Sequence, residues 1–284
     1  MTLEEAHRHC RDVARAQARN FYYGFILLPP QKRAGIYAAY AFSRRADDSV
    51  DGDDPRSQRL AAVTGLRDQL EACVAGAPPP GDPVLVALAD TIARFGIPRA
   101  HLDALLDGVE MDLEVSRYAD ADALRVYCER VAGAVGLVSL HIFGFRDPAA
   151  PKHAADLGVG LQIINIMRDV AEDAARDRIY LPADEMAAHG VTEAEIMAGA
   201  VTPGFRALMA DQGARAHQLL ARGERLLPLL DHRSRMCVAM LSGLYRQILR
   251  EIERRDYDVM GVRISLSGAQ KLTLMARRTA GSLR

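Results

Sequence analysis

The sequence predicts an all-α fold carried by a single domain over residues 1–284. Three observations predict it. A capping residue followed by proline recurs along the chain, alternating β-branched runs of strand length are nearly absent, and no Gly/Ser linker parts the sequence into two units. No internal repeat with a period of about 20 to 50 residues is visible, which excludes solenoids. A chain of this length can bury one large core.

The elements follow in order. Thr2-Leu3-Glu4-Glu5 has the form of a capping box, and no breaker follows to about Asn20, so the chain opens with a helix. Pro29-Pro30 restarts it. Asp82-Pro83, Ile97-Pro98, Asp147-Pro148 and Thr202-Pro203 each read as a cap followed by proline in the first helical turn. Gly76-Ala77-Pro78-Pro79-Pro80-Gly81 and a turn near Gly190 break the pattern. The count is about ten helices and no sheet.

Composition narrows the function. Hydrophobic residues make up 49% and charged residues 26%, which fits a folded globular chain and excludes disorder. Lys plus Arg is 36 and Asp plus Glu is 37, a net charge of −1, so no global field attracts nucleic acid. Cys10, Cys73, Cys128 and Cys237 are scattered without CxxC or short Cys/His spacing, as expected of reduced thiols. No apolar run reaches the ~18 to 20 residues of a membrane span. Glu4, Glu5 and Asp12 stand where a signal peptide needs basic and apolar segments, so a cytoplasmic protein is expected.

The chemistry concentrates in two acidic clusters. In the run from Tyr37 to Asp51, the side chains of Tyr37, Tyr40, Arg44, Asp47 and Asp51 fall within roughly an 80° sector of one helix face. Like charges four apart repel by roughly 0.2–0.5 kcal/mol, so such a pair needs a cation or solvent. Asp169 and Asp173 repeat the spacing in a helix that Val159, Leu161, Ile163, Ile164, Ile166, Met167 and Val170 make apolar over most of its circumference. Gln162, Asn165, Asp169 and Asp173 share a second sector of roughly 80°. A polar stripe on a buried helix must face partners or an internal polar cavity, because unpaired buried carboxylates cost several kcal/mol.

Two facing Asp-x-x-x-Asp helices suit Mg²⁺, a hard ion that shares its octahedron among carboxylates, water and phosphate oxygens. Arg44 and Arg168 adjoin the acids, and arginine makes bidentate phosphate contacts, so the pattern points to a diphosphate. Interhelical salt bridges in a bundle core are the competing account. They would need as many buried cations as there are carboxylates. A third set, Asp103, Asp107, Glu110, Asp112 and Glu114, reads as a solvated helix face, and none of the eight histidines has a ligand spacing.

Over nearly its whole length the chain resembles the squalene/phytoene synthase family of head-to-head prenyl transferases. The resemblance rests on Asn20-Phe21-Tyr22-Tyr23 with Leu27-Leu28-Pro29, the Arg-x-x-Asp-Asp-x-x-Asp from Arg44 to Asp51, and Met111-Asp112-Leu113. It continues through Tyr127-Cys128 with Val131 to Leu137, and through Gln162-x-x-Asn165-x-x-Arg168-Asp169-Val170-x-Glu172-Asp173 to Arg178-Ile179-Tyr180-Leu181-Pro182. The C-terminal runs Tyr245-x-x-Ile248-Leu249, Tyr257-Asp258-Val259 and Val262 to Leu266 look most like the bacterial presqualene diphosphate synthases of the hopanoid route.

The resemblance implies the isoprenoid synthase fold, helices around a central apolar cavity with the two Asp-rich helices at its mouth. It implies two prenyl diphosphates as substrates, farnesyl diphosphate above all, condensed to presqualene diphosphate with release of pyrophosphate. Phytoene or dehydrosqualene synthesis on the same site is the alternative, and a non-catalytic helical assembly factor is the alternative of another class. By the same resemblance Asp47, Asp51, Asp169 and Asp173 hold two or three Mg²⁺ ions, with Asn165 as a further ligand or supporting partner. Arg44, Gln162, Arg168, Tyr245 and Arg263 contact diphosphate, with Tyr40 and Tyr180 at its edge. Tyr127, Val131, Val135, Leu157 and Leu161 line the prenyl pocket. Asn20 departs from the family, which has serine there.

An allylic diphosphate that ionises leaves a carbocation, so its pocket must be dry, and Phe21, Tyr22 and Tyr40 can offer cation–π stabilisation. There is no tryptophan to share that role. No Gly-rich dinucleotide fingerprint is present, so no NADPH is expected. Contact with a membrane surface and with downstream pathway enzymes is compatible with all of this.

Overall fold

The computed structural model describes residues 1–51, 54–261 and 263–265, the side chains of Arg19 and Asn20 excepted. Asn20, Val262 and Leu266, singled out from the sequence, therefore lie wholly or in their side chains outside the described residues. Among the described residues there are thirteen α-helices and no strand, only one isolated bridge between Arg117 and Ile179. The helices are α1 (Leu3–Gln17), α2 (Arg19–Phe25), α3 (Pro30–Val50), α4 (Arg56–Val74), α5 (Pro83–Phe95), α6 (Arg99–Met111) and α7 (Ala121–Cys128). They continue as α8 (Ala134–Phe143), α9 (Ala150–Ala174), α10 (Ala183–Ala188), α11 (Glu193–Met197), α12 (Pro203–Gly223) and α13 (His232–Arg254). The excess over about ten comes from the short α2, α10 and α11.

The caps show why these segments start where they do. Thr2 accepts from Glu5 N at 3.2 Å while Glu5 accepts from Thr2 N at 2.7 Å, a complete capping box. Asp82 caps α5 and Thr202 caps α12, each with proline in the first turn. Two expected starts are displaced. Pro98 is itself the cap residue of α6, and Asp147 accepts from Ala149 N at 2.8 Å in a turn that precedes α9. The opening helix also ends early, at Gln17, and the chain restarts at Arg19.

α9 is the central helix. It packs against α8, α12 and α13, while α3 packs against α1, α5 and α8. Its approach to the chain before α8 is close, because a Cβ on Gly158 would stand 2.3 Å from Ala132 O, and one on Gly136 would stand 2.5 Å from Ala154 O. The segment Glu129–Gly133 winds as a π-helical turn and joins α7 to α8 in one continuous stretch. That stretch, Ala121–Phe143, contains an 18-residue window of mean hydropathy 1.3 and so passes for a membrane span by length and composition alone. Here it packs against α6 and α9. All four cysteines are buried free thiols, and burial pushes Cys10 and Cys128 up to about 12.

Candidate active site

α3 and α9 bring the two acidic clusters to one end of the bundle. Asp47, three turns above Ile36 on α3, stands where an apolar cavity meets a polar mouth. Burial pushes its carboxyl up to about 7; Arg44 opposes that shift, while Asp51 and Asp112 add to it. Asp51 caps the C-terminus of α3, 3.9 Å from Arg44 and 3.8 Å from Arg176. On α9, burial pushes Asp173 up to about 7, helped by the charges of Asp169 and Asp112 and opposed by Arg176 and Arg178.

Asp169 is held by two arginines. Arg168 Nε donates to it at 2.8 Å, and Arg263 reaches it with Nε and Nη2 at 3.1 and 3.2 Å, 94 residues along the chain. Arg263 Nε also lies 3.3 Å from Glu172, and Arg44 donates to Asp48. Among the described residues, no three acids or histidines converge closely enough to ligate one ion. The donor set nonetheless fits a hard divalent cation. Every donor is oxygen, Asn165 Oδ1 is buried without a hydrogen-bond partner, and the carboxyls of Asp47 and Asp173, raised chiefly by burial and further by neighbouring carboxylates, are acids whose charged form a cation would stabilise.

One acid expected on a solvated helix face belongs here. Asp112 is the C-cap of α6, and its carboxylate accepts from Tyr127 Oη at 3.1 Å and from Tyr180 Oη at 2.8 Å. The two rings stack at 5.1 Å, Tyr118 stacks on Tyr180 at 5.7 Å, and Arg178 donates to the Asp112 carbonyl at 3.1 Å. Burial raises the Asp112 carboxyl, with Arg178 and the two hydroxyls opposing. Its neighbours do face outward in ion pairs, Arg99 with Asp103, Arg67 with Asp107 and Glu110, and Arg56 with Glu114. At about 100° per residue Asp112 falls on the opposite side of α6 from Asp103, Asp107 and Glu110, beside the buried Leu105, and its backbone is still helical, so the helical period itself turns it inward.

Two connected spaces meet at Asp47. The polar mouth, about 1140 Å³, is lined by Tyr40, Arg44, Arg168, Tyr245 and Arg263, and by Gln17 and Ala18 at the end of α1. Below it an apolar cavity of about 230 Å³ is lined by Phe21, Tyr40, Val131, Val135, Leu157 and Leu161, with Gln162 and Asn165 at its top. Phe21 stacks on Phe25 at 6.2 Å and lies 5.8 Å from the buried Tyr245 ring. Tyr22 stacks on Tyr37 at 6.0 Å and faces the mouth rather than the cavity. Tyr127 and Tyr180 line neither space; their hydroxyls are turned to Asp112.

An all-helical bundle with acid-rich helices above an apolar cavity is the isoprenoid synthase fold. The profile of the squalene/phytoene synthase family matches residues 14–270, and the chain belongs to that family of prenyltransferase-like enzymes. It is 41% identical to the phytoene synthase of Mycobacterium tuberculosis, over 99% of this chain and 93% of that one. It is 40% identical to the phytoene synthase of Arthrospira platensis, over 92% and 88%. Among solved structures it is similar to a dehydrosqualene synthase in complex with ligand (TM-score 0.91, 28% identity, 98% and 97% covered). It is also similar to the squalene synthase HpnC of Alicyclobacillus acidocaldarius (TM-score 0.84, 30% identity, 90% and 96% covered).

Proposed function

We propose that the protein condenses two molecules of a C20 allylic diphosphate head to head, forming a phytoene-type C40 hydrocarbon with release of two pyrophosphates and two protons. The observation that carries the head-to-head chemistry is Asp47, which places an acidic and arginine-rich mouth directly on top of an apolar cavity. The C20 substrate is supported by the relatives near 40% identity, which are named phytoene synthases. The presqualene diphosphate expected from the C-terminal runs is the second reading, favoured by the 30% identity to a squalene synthase.

In this reading Asp47, Asp51, Asn165, Asp169 and Asp173 would hold Mg²⁺, which supplies positive charge against the leaving pyrophosphate. Arg44, Arg168 and Arg263 bind its oxygens by charge-assisted hydrogen bonds that strengthen as it gains charge, and Gln162, Tyr40 and Tyr245 orient it. Phe21, Val131, Val135, Leu157 and Leu161 surround the prenyl chain and keep water from the allylic cation, with the faces of Phe21 and Tyr40 turned to the charge. Tyr127 and Tyr180 hold the carboxylate of Asp112, whose charge adds to the raised Asp47 and Asp173. The activity is cytoplasmic, with contact to a membrane surface where an insoluble hydrocarbon product can leave.

Incubation with Mg²⁺ and labelled C20 or C15 diphosphate, with and without NADPH, followed by product identification, tests the proposal. A C40 hydrocarbon formed without NADPH is expected. Exclusive formation of a C30 cyclopropyl diphosphate would establish the second reading, and absence of any condensation would overturn both.

A further inference from the structure

The eight histidines have no ligand spacing along the chain, but the fold pairs two of them. His101, in the first turn of α6, and His141, in the last turn of α8, are 40 residues apart in sequence. Their rings meet at 5.5 Å between centroids with a tilt of 43°. The ring of Phe145 stands edge-on to His141, also at 5.5 Å. The backbone behind each histidine is anchored, because Leu102 beside His101, and Leu140 and Ile142 beside His141, are fully buried where α6 packs on α8. Both imidazoles remain partly exposed.

Three other histidines are spent on acids. His7 pairs with Asp90 at 2.9 Å, His189 with Asp211 at 2.9 Å and His217 with Glu253 at 2.7 Å. His101 and His141 have no hydrogen bond or ion pair among the described residues, so each ring keeps a nitrogen lone pair that no protein donor uses. Burial holds both below their ordinary 6.5, and the charge His141 would carry adds to the shift at His101. Both are therefore neutral at pH 7, the form that binds metal.

The separation of the rings fits one ion. Two imidazoles bound to a tetrahedral ion at about 2.0–2.1 Å have centroids about 5.2 Å apart. Imidazole nitrogen suits a borderline cation such as Zn²⁺ or Cu²⁺, in contrast to the all-oxygen donors of the acidic mouth, which suit Mg²⁺. The four buried thiols, all raised by burial, offer no competing thiolate.

We propose that His101 and His141 form a metal site outside the acidic mouth, which binds one borderline divalent cation through two imidazoles and water. Both helices line the apolar cavity, α6 with Leu102 and Leu105 and α8 with Val138 and Phe143, so a bound ion ties two of its walls together. The site stands independently of the prenyl diphosphate reading.

The test is Zn²⁺ binding at pH 7.5 in excess Mg²⁺, measured by competition with a chromogenic chelator, for the wild type, His101→Gln, His141→Gln and His217→Gln. Glutamine keeps most of the side-chain volume, and circular dichroism checks that each variant is folded. The tightest Zn²⁺ ion on the wild type is expected to bind at least tenfold more weakly in His101→Gln and in His141→Gln, and unchanged in His217→Gln. Zn²⁺ should raise the melting temperature of the wild type and of His217→Gln, and leave that of the other two unmoved. No Zn²⁺ binding by the wild type, a smaller loss in either member of the pair, or an equal loss in His217→Gln overturns the proposal.

Discussion

Asp47 and Asp173 show what a binding site costs the fold. A carboxyl raised from its ordinary 3.8 to about 7 keeps its proton longer in the folded chain than in the unfolded one. The folded state then binds more protons between about pH 4 and 7, and stability falls as pH rises through that window. Asp47→Asn should therefore stabilise the metal-free protein at pH 8 by about 1–3 kcal/mol, have no such effect at pH 4, and remove nearly all activity. Urea unfolding at the two pH values checks this; equal effects at both would show that the carboxylate is not strained. Asp112 behaves differently, because two tyrosine hydroxyls depend on it. Asp112→Ala leaves them unsatisfied and should lower stability by about 1–3 kcal/mol, whereas a solvated Asp112 would give no change in the unfolding midpoint.

At the scale of elements, the helix pair α8–α9 and the C-terminal segment position the site. Gly158→Ala inserts a methyl 2.3 Å from a backbone oxygen and should cost about 1–3 kcal/mol, read as a drop in melting temperature, while Gly65→Ala, with nothing within 4 Å, should not destabilise. Arg263 reaches Asp169 with two nitrogens and lines the mouth, so Arg263→Lys, which keeps charge but loses the planar fork, should lower turnover about 10- to 100-fold. Unchanged turnover would make it a surface ion pair. Elements with chemical punctuation were legible in the sequence: Thr2, Asp82 and Thr202 mark real starts. The break at Ala18 was not, since no breaker residue signals it, nor was the shift of α9 past Asp147-Pro148. The acid spacing on α3 and α9 was legible because four residues make nearly one helical turn. Asp112 was missed by grouping it with Asp103, Asp107 and Glu110, from which the helical period turns it by roughly 180°.

For the whole molecule, the fold class followed from periodicity and caps, and the cavity followed from a polar stripe on an otherwise apolar helix. Which side chains close the cavity did not follow, because Ile36 and Phe143 are brought to one end of it only through the packing of α3 on α8. Tyr127 and Tyr180 were expected at the prenyl and diphosphate groups, and their attachment to Asp112 depends on contacts across 15 and 68 residues.

The central claim is that the two acidic helices form one site for a divalent cation and a diphosphate. Calorimetric titration of pyrophosphate into the wild type, Asp47→Asn and Asp169→Asn, each with and without Mg²⁺, measures it directly. Binding is expected only for the wild type with Mg²⁺, with at least a tenfold loss in either variant. Pyrophosphate binding of equal strength without Mg²⁺, or unaffected by loss of either acid, would contradict it.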